Sequence, residues 1–471
     1  MIVSPETSYR SLGTRVIWGN VSSMLRISSR CILACGFALA AFFPLSSADA
    51  QHGFGFARYH ETLPHSFCSQ VNCADGYGPV AGVIMDSSGN LYGTTWLGGG
   101  GGTNSSCFYF DGCGTVFRVA PNGTETVLYA FQGGNNDGAN PEADVIMDSA
   151  GNLYGTTLGG GGGSGSSCND YNTVYCGTVF KLTPSGKETV LHAFQGGSDG
   201  GIPRSNLIMD NLGNLYGTTQ IGGGSGCGGY GCGTIFKLSA DGTETVLYSF
   251  KGGADGSNPT AGLIMDSNGS LYGTTYEGGP YSCGIYVVGC GTVFKLAPSG
   301  KEKVLHAFQG GSDGSEPVAG VIMDSSGRLF GTTENGGGGN CPGNIFFTGC
   351  GTVFKLSRHG KESVLYAFPD ETKGWFPEGG LITDYAGNLY GTTQGGGNFT
   401  AGNCPDGCGT VFKISPHGKE TVLYSFCPQP NCSDGIAVFD RLITDGSGNL
   451  YGTVEQGGAN GYGGAVFELT K

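Results

Sequence analysis

The sequence predicts an all-β fold, a seven-bladed β-propeller closed by its own two ends, and three observations predict it. One segment recurs seven times, marked by Asp86, Asp148, Asp210, Asp266, Asp324, Asp384 and Asp445 at intervals of 56 to 62 residues. Each full copy holds four short stretches rich in β-branched and aromatic residues, bounded by Gly, Asp, Asn or Ser, and no window shows a sustained helical period. The seventh copy stops at Ala465-Val466-Phe467-Glu468-Leu469 without its fourth stretch, while an orphan fourth stretch, Glu61-Thr62-Leu63-Pro64-His65-Ser66-Phe67, precedes the first copy. An open stack has no use for that division. In a ring of four-stranded blades the N-terminal stretch supplies the outer strand that the last blade lacks.

In chain order, the first element is a leader. Arg10, Arg15, Arg26 and Arg30 precede an apolar run over residues 31–45, and Ala48-Asp49-Ala50 supplies the small-x-small pattern of a cleavage site. Residues 1–50 are therefore expected to be a signal peptide, removed to leave 51–471 as one propeller domain; a start at Met24 gives a leader of more usual length. No other run approaches the ~20 apolar residues of a membrane span. The end, Leu469-Thr470-Lys471, has no hydrophobic sorting tail, so the expectation is a secreted protein, periplasmic or extracellular.

The third copy illustrates the repeat. Its stretches are Leu207-Ile208-Met209, then Asn214-Leu215-Tyr216-Gly217-Thr218-Thr219, then Thr234-Ile235-Phe236-Lys237-Leu238, then Thr245-Val246-Leu247-Tyr248-Ser249-Phe250. Stretches one and two are joined by tight turns such as Asp86-Ser87-Ser88-Gly89-Asn90, in which the aspartate caps the turn and glycine supplies positive φ. Stretches three and four are joined by turns such as Thr183-Pro184-Ser185-Gly186, expected to set Lys181 opposite Glu188. The remaining connections are long and share the opposite face, where functional groups are to be sought.

Of 18 cysteines, Cys31 and Cys35 leave with the leader and sixteen form eight local pairs. Six pairs occupy the connection between the second and third stretches: Cys107 with Cys113, Cys168 with Cys176, Cys227 with Cys232, Cys283 with Cys290, Cys341 with Cys350, and Cys404 with Cys408. Cys68 with Cys73 and Cys427 with Cys432 flank blade 7. An even count behind a leader reads as disulfides in an oxidising compartment. A zinc reading is set aside because each loop supplies only half a site.

Glycine contributes 93 of 471 residues, charged residues 13% and aromatics 11%, which fits a folded, loop-rich chain. The formal charge of -14 repels phosphate backbones, so nucleic acid is excluded as a partner.

Glu244-Thr245-Val246-Leu247-Tyr248-Ser249-Phe250, the run Gly252–Pro259, Gly262-Leu263-Ile264-Met265-Asp266, Leu271-Tyr272-Gly273-Thr274-Thr275 and Gly291-Thr292-Val293-Phe294-Lys295-Leu296 resemble the GloVer tandem repeat of exported bacterial proteins. Leu191-His192-Ala193-Phe194 is similar to the motif of the HAF extracellular repeats. The resemblance covers residues 58–469. It implies an extracellular or cell-surface repeat protein of the choice-of-anchor type, and carries no catalytic residues to transfer. This chain departs from it in having no recognisable anchor.

Two sets of residues are candidate ligand contacts on the long-loop face. Asp137, Asp199, Asp255, Asp313 and Asp434 recur before glycine and are expected to ring the central opening, unless they are simply turn residues. Directly after the constant Tyr-Gly-Thr-Thr stand Trp96, Leu158, Gln220, Tyr276, Glu334, Gln394 and Glu455. That position changes chemistry within a constant frame, and Trp96 and Tyr276 suit stacking on a sugar ring. His65, His192 and His306 alternate with Tyr129, Tyr248, Tyr366 and Tyr424, which argues for packing over proton transfer. No Ser-His-Asp order, metal-binding His pair or phosphate loop is present. Asp86 and its equivalents lack the acidic spacing of a calcium loop, so neither Ca2+ nor another cofactor is expected. The reading is a monomeric, non-enzymatic module for extracellular polysaccharide or protein. The alternative is a propeller lyase, lactonase or glycosidase with acidic groups at the channel mouth.

Overall fold

The constant Leu-Tyr-Gly-Thr-Thr is the second strand of a blade, and each of its residues meets a different neighbour. The computed structural model describes residues 59–471 apart from 101–106, 108–111, 163–167, 169–175, 284–288, 340, 342–348, 398–403, 405–406 and 429–431. The expected leader, residues 1–50, lies outside the described residues. In blade 1, Leu91 is buried and the Tyr92 hydroxyl donates to Asp86 Oδ2 at 3.0 Å. The Thr94 hydroxyl donates to the Ala143 carbonyl of the next blade, and Thr95 shares a 2.8 Å hydrogen bond with Thr115 of its own. Glycine is required at the centre because a Cβ on Gly93 would stand 2.7 Å from Phe117 Cζ, and one on Gly331 would stand 2.6 Å from Phe354 Cζ.

The described residues form seven four-stranded antiparallel sheets and one two-residue ladder between long loops. In blade 1 the strands Ile84–Met85, Leu91–Thr95, Thr115–Val119 and Glu125–Ala130 lie side by side in chain order. Blade 7 is composite. Ile443–Thr444, Leu450–Val454 and Ala465–Thr470 come from the C-terminus and His60–Ser66 from the N-terminus, with His60 opposite Thr470 and Ser66 opposite Ala465. The ring closes as the divided repeat requires.

Blades are joined by paired phenylalanines. The Phe that follows each fourth strand packs on the third-strand Phe of the next blade, with ring centroids 4.8 Å apart for Phe67 and Phe117, 5.2 Å for Phe250 and Phe294, and 5.1 Å for Phe426 and Phe467. Nearly all of these rings are inaccessible to solvent. Burying each contributes about 1.5–3 kcal/mol, repeated at every seam.

The Asp86 carboxylate accepts from Ser88 N, Asn90 N, Asn90 Nδ2 and Tyr92 Oη. These bonds hold it below the usual carboxylate range against the opposing pull of desolvation. All eight expected cysteine pairs are bonded. One pairing differs from expectation: Lys181 lies opposite Thr189, and Glu188 opposite Leu182. The turn bonds Thr183 N to Lys187 O, which moves the register by one and sends the glutamate to the other side of the sheet. Lys181 instead sits over the Tyr154 ring, 5.4 Å from its centroid. In blade 7, where Glu468 replaces this cation, it accepts a 2.8 Å hydrogen bond from Tyr451. No helix among the described residues is long and apolar enough to cross a membrane.

Candidate functional site at the axial mouth

The recurring aspartates of the fourth-to-first connections sit against the outermost strand. Asp137 accepts from Tyr129 Oη at 3.0 Å, Gln132 N at 2.6 Å and Gly138 N at 2.7 Å. Asp199 pairs with His192 Nε2 at 3.2 Å and accepts from Gln195 N; Asp313 pairs likewise with His306 and Gln309 N. Asp255 accepts from Tyr248 Oη and Lys251 N, and Asp434 from Tyr424 Oη and Cys427 N. The placement differs from a ring round the opening because the carboxylates fold their own loops back onto the fourth strand. Asp75 belongs to the same series, accepting from Ser69 N and Oγ; sequence reading passed over it.

Each of these aspartates faces the glutamate that opens the fourth strand of the following blade. Burial first, and the neighbouring aspartate second, push Glu61, Glu125, Glu188, Glu302 and Glu362 up to about 7. Glu244 is raised in the same way by burial and Asp199. In all of these glutamates Oε1 is covered and has no donor among the described residues. Burial and the facing aspartate both favour the neutral form of the glutamate. At the seam between blades 5 and 6 the aspartate is replaced by Lys373, whose Nζ lies 3.2 Å from Glu420.

Near the axis the pattern is the opposite: a constant backbone carrying unlike side chains. Asn140, Ile202, Asn258, Glu316, Phe376 and Ala437 all adopt positive φ between 54° and 60°, a strained region for non-glycine residues. Two hydrogen bonds hold each there. The N–H donates to the carbonyl of the second cysteine of a loop disulfide, as in Glu316 N to Cys290 O. The carbonyl accepts from the residue after Tyr-Gly-Thr-Thr, as from Glu334 N. The loop disulfides thus buttress the mouth. Blade 7, without a disulfide there, uses Gly78 N to Gly463 O.

On this frame stand Trp96, Tyr276, Glu334 and Glu455, all half-buried. Burial, then Glu378 and Glu316, hold the Glu334 carboxyl well above its usual range. Glu378 is pushed up to about 8 by burial and Glu455, and Glu316 up to about 7 chiefly by burial. Glu455 is raised by burial and then by Glu142. Tyr276 is raised by burial and the fields of Glu334, Glu316, Glu277 and Glu378. Tyr276 and Glu378 belong to blades 4 and 6, and Glu455 and Glu142 to blades 7 and 2. Groups of non-adjacent blades reach one another only close to the axis. Glu142 also lies 3.3 Å from Arg204 Nε.

Three polar atoms in the long connections are covered yet have no partner among the described residues: Trp96 Nε1, Thr260 Oγ1 and Glu316 Oε1. Gly82 N donates to Asp144 Oδ1 at 2.7 Å and Asn206 Nδ2 to Asp144 Oδ2 at 2.8 Å. Arg441 of blade 7 reaches the same carboxylate at 3.8 Å, so Asp144 joins polar groups of four blades. Trp96 and Tyr276 were singled out in the sequence for the variability of their position. Sequence reading missed Glu142, Glu316 and Glu378, which flank a proline that recurs in the same connections and vary just as freely.

The sequence profile of the Gloeobacter/Verrucomicrobia repeat matches residues 48–287, 103–346 and 228–467. No curated protein matches the chain. Among solved structures, the periplasmic gluconolactonase of Pseudomonas aeruginosa is 14% identical, with 81% of this chain and 99% of that one covered and a TM-score of 0.44. A luciferin-regenerating enzyme is also 14% identical, with 69% and 90% covered and a TM-score of 0.40. At TM-scores of 0.44 and 0.40 neither likeness carries an argument about this chain.

Proposed function

The chain belongs to the Gloeobacter/Verrucomicrobia repeat family, and from that premise we propose that it is an exported, non-enzymatic binding module whose axial mouth takes an extracellular polysaccharide. The observation that carries this reading is the set of covered polar atoms without a partner among the described residues, Trp96 Nε1, Thr260 Oγ1 and Glu316 Oε1, in the long connections of separate blades. Leaving such atoms unmade costs about 1–3 kcal/mol each, a cost that a ligand with donors and acceptors on every side removes. Carboxyl groups that keep their protons near neutrality add neutral O–H donors, and Trp96 and Tyr276 add aromatic surface. Together these are the contacts that a sugar's hydroxyls and C–H faces require. Export rests on the leader pattern of residues 1–50 and on eight disulfides.

The test is isothermal titration and thermal shift of oxidised protein, residues 51–471, against neutral oligosaccharides. A rise in melting temperature that disappears in Trp96→Ala and Tyr276→Ala, with the apo melting temperature of both variants near that of the parent, supports the module. Saccharide binding that survives both substitutions, or no saccharide binding at all, overturns it and leaves a protein partner as the next candidate.

A catalytic reading is favoured by one observation: burial, then Glu378, raises the Glu334 carboxyl well above its usual range, which suits a general acid. Glycoside cleavage also needs an ionised partner, a role that Glu378, itself pushed up to about 8, takes only above that pH. Product release from a bound oligosaccharide, lost in Glu334→Gln while binding persists, would move the assignment to an enzyme. Intact oligosaccharide after prolonged incubation keeps it a binder.

A further inference from the structure

Loops of two successive repeats bring four sulfurs together at the entrance to blade 7. Cys404 and Cys408 lie between the second and third strands of blade 6, and Cys427 and Cys432 in the connection from its fourth strand to blade 7. The four Sγ atoms all lie within 4.8 Å of one another, and Cys408 and Cys432, which belong to different disulfides, are 4.0 Å apart. All four residues are buried, packed with Tyr59, Phe426, Val438 and Leu442. Among the described residues the arrangement occurs once. The only other cysteines in such a connection, Cys68 and Cys73, adjoin blade 7, whose own loop has none.

Half a site per loop was the ground for setting metal aside, and here the fold joins two halves. Cys-x3-Cys and Cys-x4-Cys are within or next to the pair spacings of tetrathiolate zinc sites, and metal–sulfur bonds of about 2.3 Å place tetrahedral sulfurs about 3.8 Å apart. Sulfurs of different pairs already lie near that figure, and each bonded pair opens toward it once its S–S bond is broken. Apolar packing keeps out the water that would compete for the ion.

We propose that this tetrad is a two-state site: two disulfides in the oxidised chain, and one tetrahedral site for a thiophilic divalent cation when the four cysteines are thiols. Reduction by a small dithiol breaks both S–S bonds with four electrons and four protons, and two equivalents of dithiol become cyclic disulfide. The cation then displaces the thiol protons and is held by four thiolates, joining blade 6 to blade 7. Oxidation by a disulfide-exchange partner removes the four electrons, re-forms Cys404–Cys408 and Cys427–Cys432, and releases the ion. The proposal concerns the seam and is independent of any ligand at the mouth.

The test uses chain 51–471 with the other twelve cysteines replaced by serine, reduced with a phosphine and titrated with Co2+. The expected result is one equivalent bound with the intense ligand-field absorption of tetrahedral tetrathiolate cobalt, displaced by one equivalent of Zn2+. That spectrum should be lost in Cys408→Ser and in Cys432→Ser. Octahedral cobalt, a stoichiometry far from one, or a spectrum unchanged in both variants overturns the site. Circular dichroism covers failure to fold. Because a preassembled site should order the chain around the ion, a reduced chain that stays unfolded with and without cobalt counts equally against it.

Discussion

Two rings are built on one repeat, and they differ in what stays constant. At the outer seams a phenylalanine pair and an acidic pair recur from blade to blade, with Tyr or His beside them. Around the mouth, one residue past Tyr-Gly-Thr-Thr, the chain holds Trp96, Leu158, Gln220, Tyr276, Glu334, Gln394 and Glu455. The seams must solve one packing problem seven times, so one solution serves throughout. The mouth positions share one backbone hydrogen bond, as in Tyr276 N to Asn258 O, whatever side chain they carry. Their side chains are therefore available for chemistry, and the asymmetry of the ring is where a specific ligand would be read.

The largest expected contrast lies between substitutions of similar size on the two rings. Phe294→Ala removes a fully buried ring under which Gly273 is shaped, and should cost about 3–5 kcal/mol in denaturant unfolding. Tyr276→Ala removes a half-buried side chain at a variable position and should cost less, about 1 kcal/mol. Equal losses in the two variants would erase the distinction between frame and site.

The seams themselves should betray their protons. Glutamates raised from 4.5 to about 7 hold a proton in the folded state that the unfolded chain has released. Their stabilisation is full below about pH 4.5 and is lost as pH rises through 7. The turn aspartates shift the other way, so their contribution fades only below their unfolded range. Between pH 5 and 8 the melting temperature should therefore fall, by roughly 5 °C. Lys373 supplies an internal control: Lys373→Asp creates a further acidic pair with Glu420 and should steepen that slope, whereas Glu302→Gln should flatten it. A melting temperature that is level across this range, or that rises, would show that the seam glutamates do not hold their protons.

How much of this was legible follows from how far each feature reaches along the chain. The divided repeat, the cysteine pairs and the Asp86 turn are local patterns, and the fold adopts them unchanged. The Lys181 pairing failed by a single residue, because nothing in Thr183-Pro184-Ser185-Gly186 announces that Thr183 bonds Lys187. That one-residue difference hides the seam, since it is what turns Glu188 toward Asp137. The mouth was half visible. Variation at Trp96 and Tyr276 pointed to it, but the meeting of Glu334, Glu378 and Glu455 depends on an axis that no single repeat contains. The sulfur tetrad was hidden for the same reason, its halves belonging to different repeat connections.

The smallest expected effect sharpens the contrast most, because it separates binding from stability at one residue. Glu378 is enclosed near the axis and pushed up to about 8 by burial and by Glu455. Its neutral form is favoured below about pH 8 and charge accumulates above it. Glu378→Gln keeps the shape and fixes the neutral form, so its stability at pH 6 should match the parent within about 0.5 kcal/mol. Affinity for a neutral saccharide should weaken severalfold in the parent between pH 6 and 9, as charge accumulates beside Glu334, and should stay nearly level in the variant. If both proteins lose affinity in parallel, the titrating group lies elsewhere; if neither does, the acidic arc spanning blades 5 to 7 takes no part in recognition. A seam glutamate behaves differently under the same treatment: Glu302→Gln should change the pH dependence of melting and leave that of binding untouched. The two rings would then be distinguished by which equilibrium each proton is linked to.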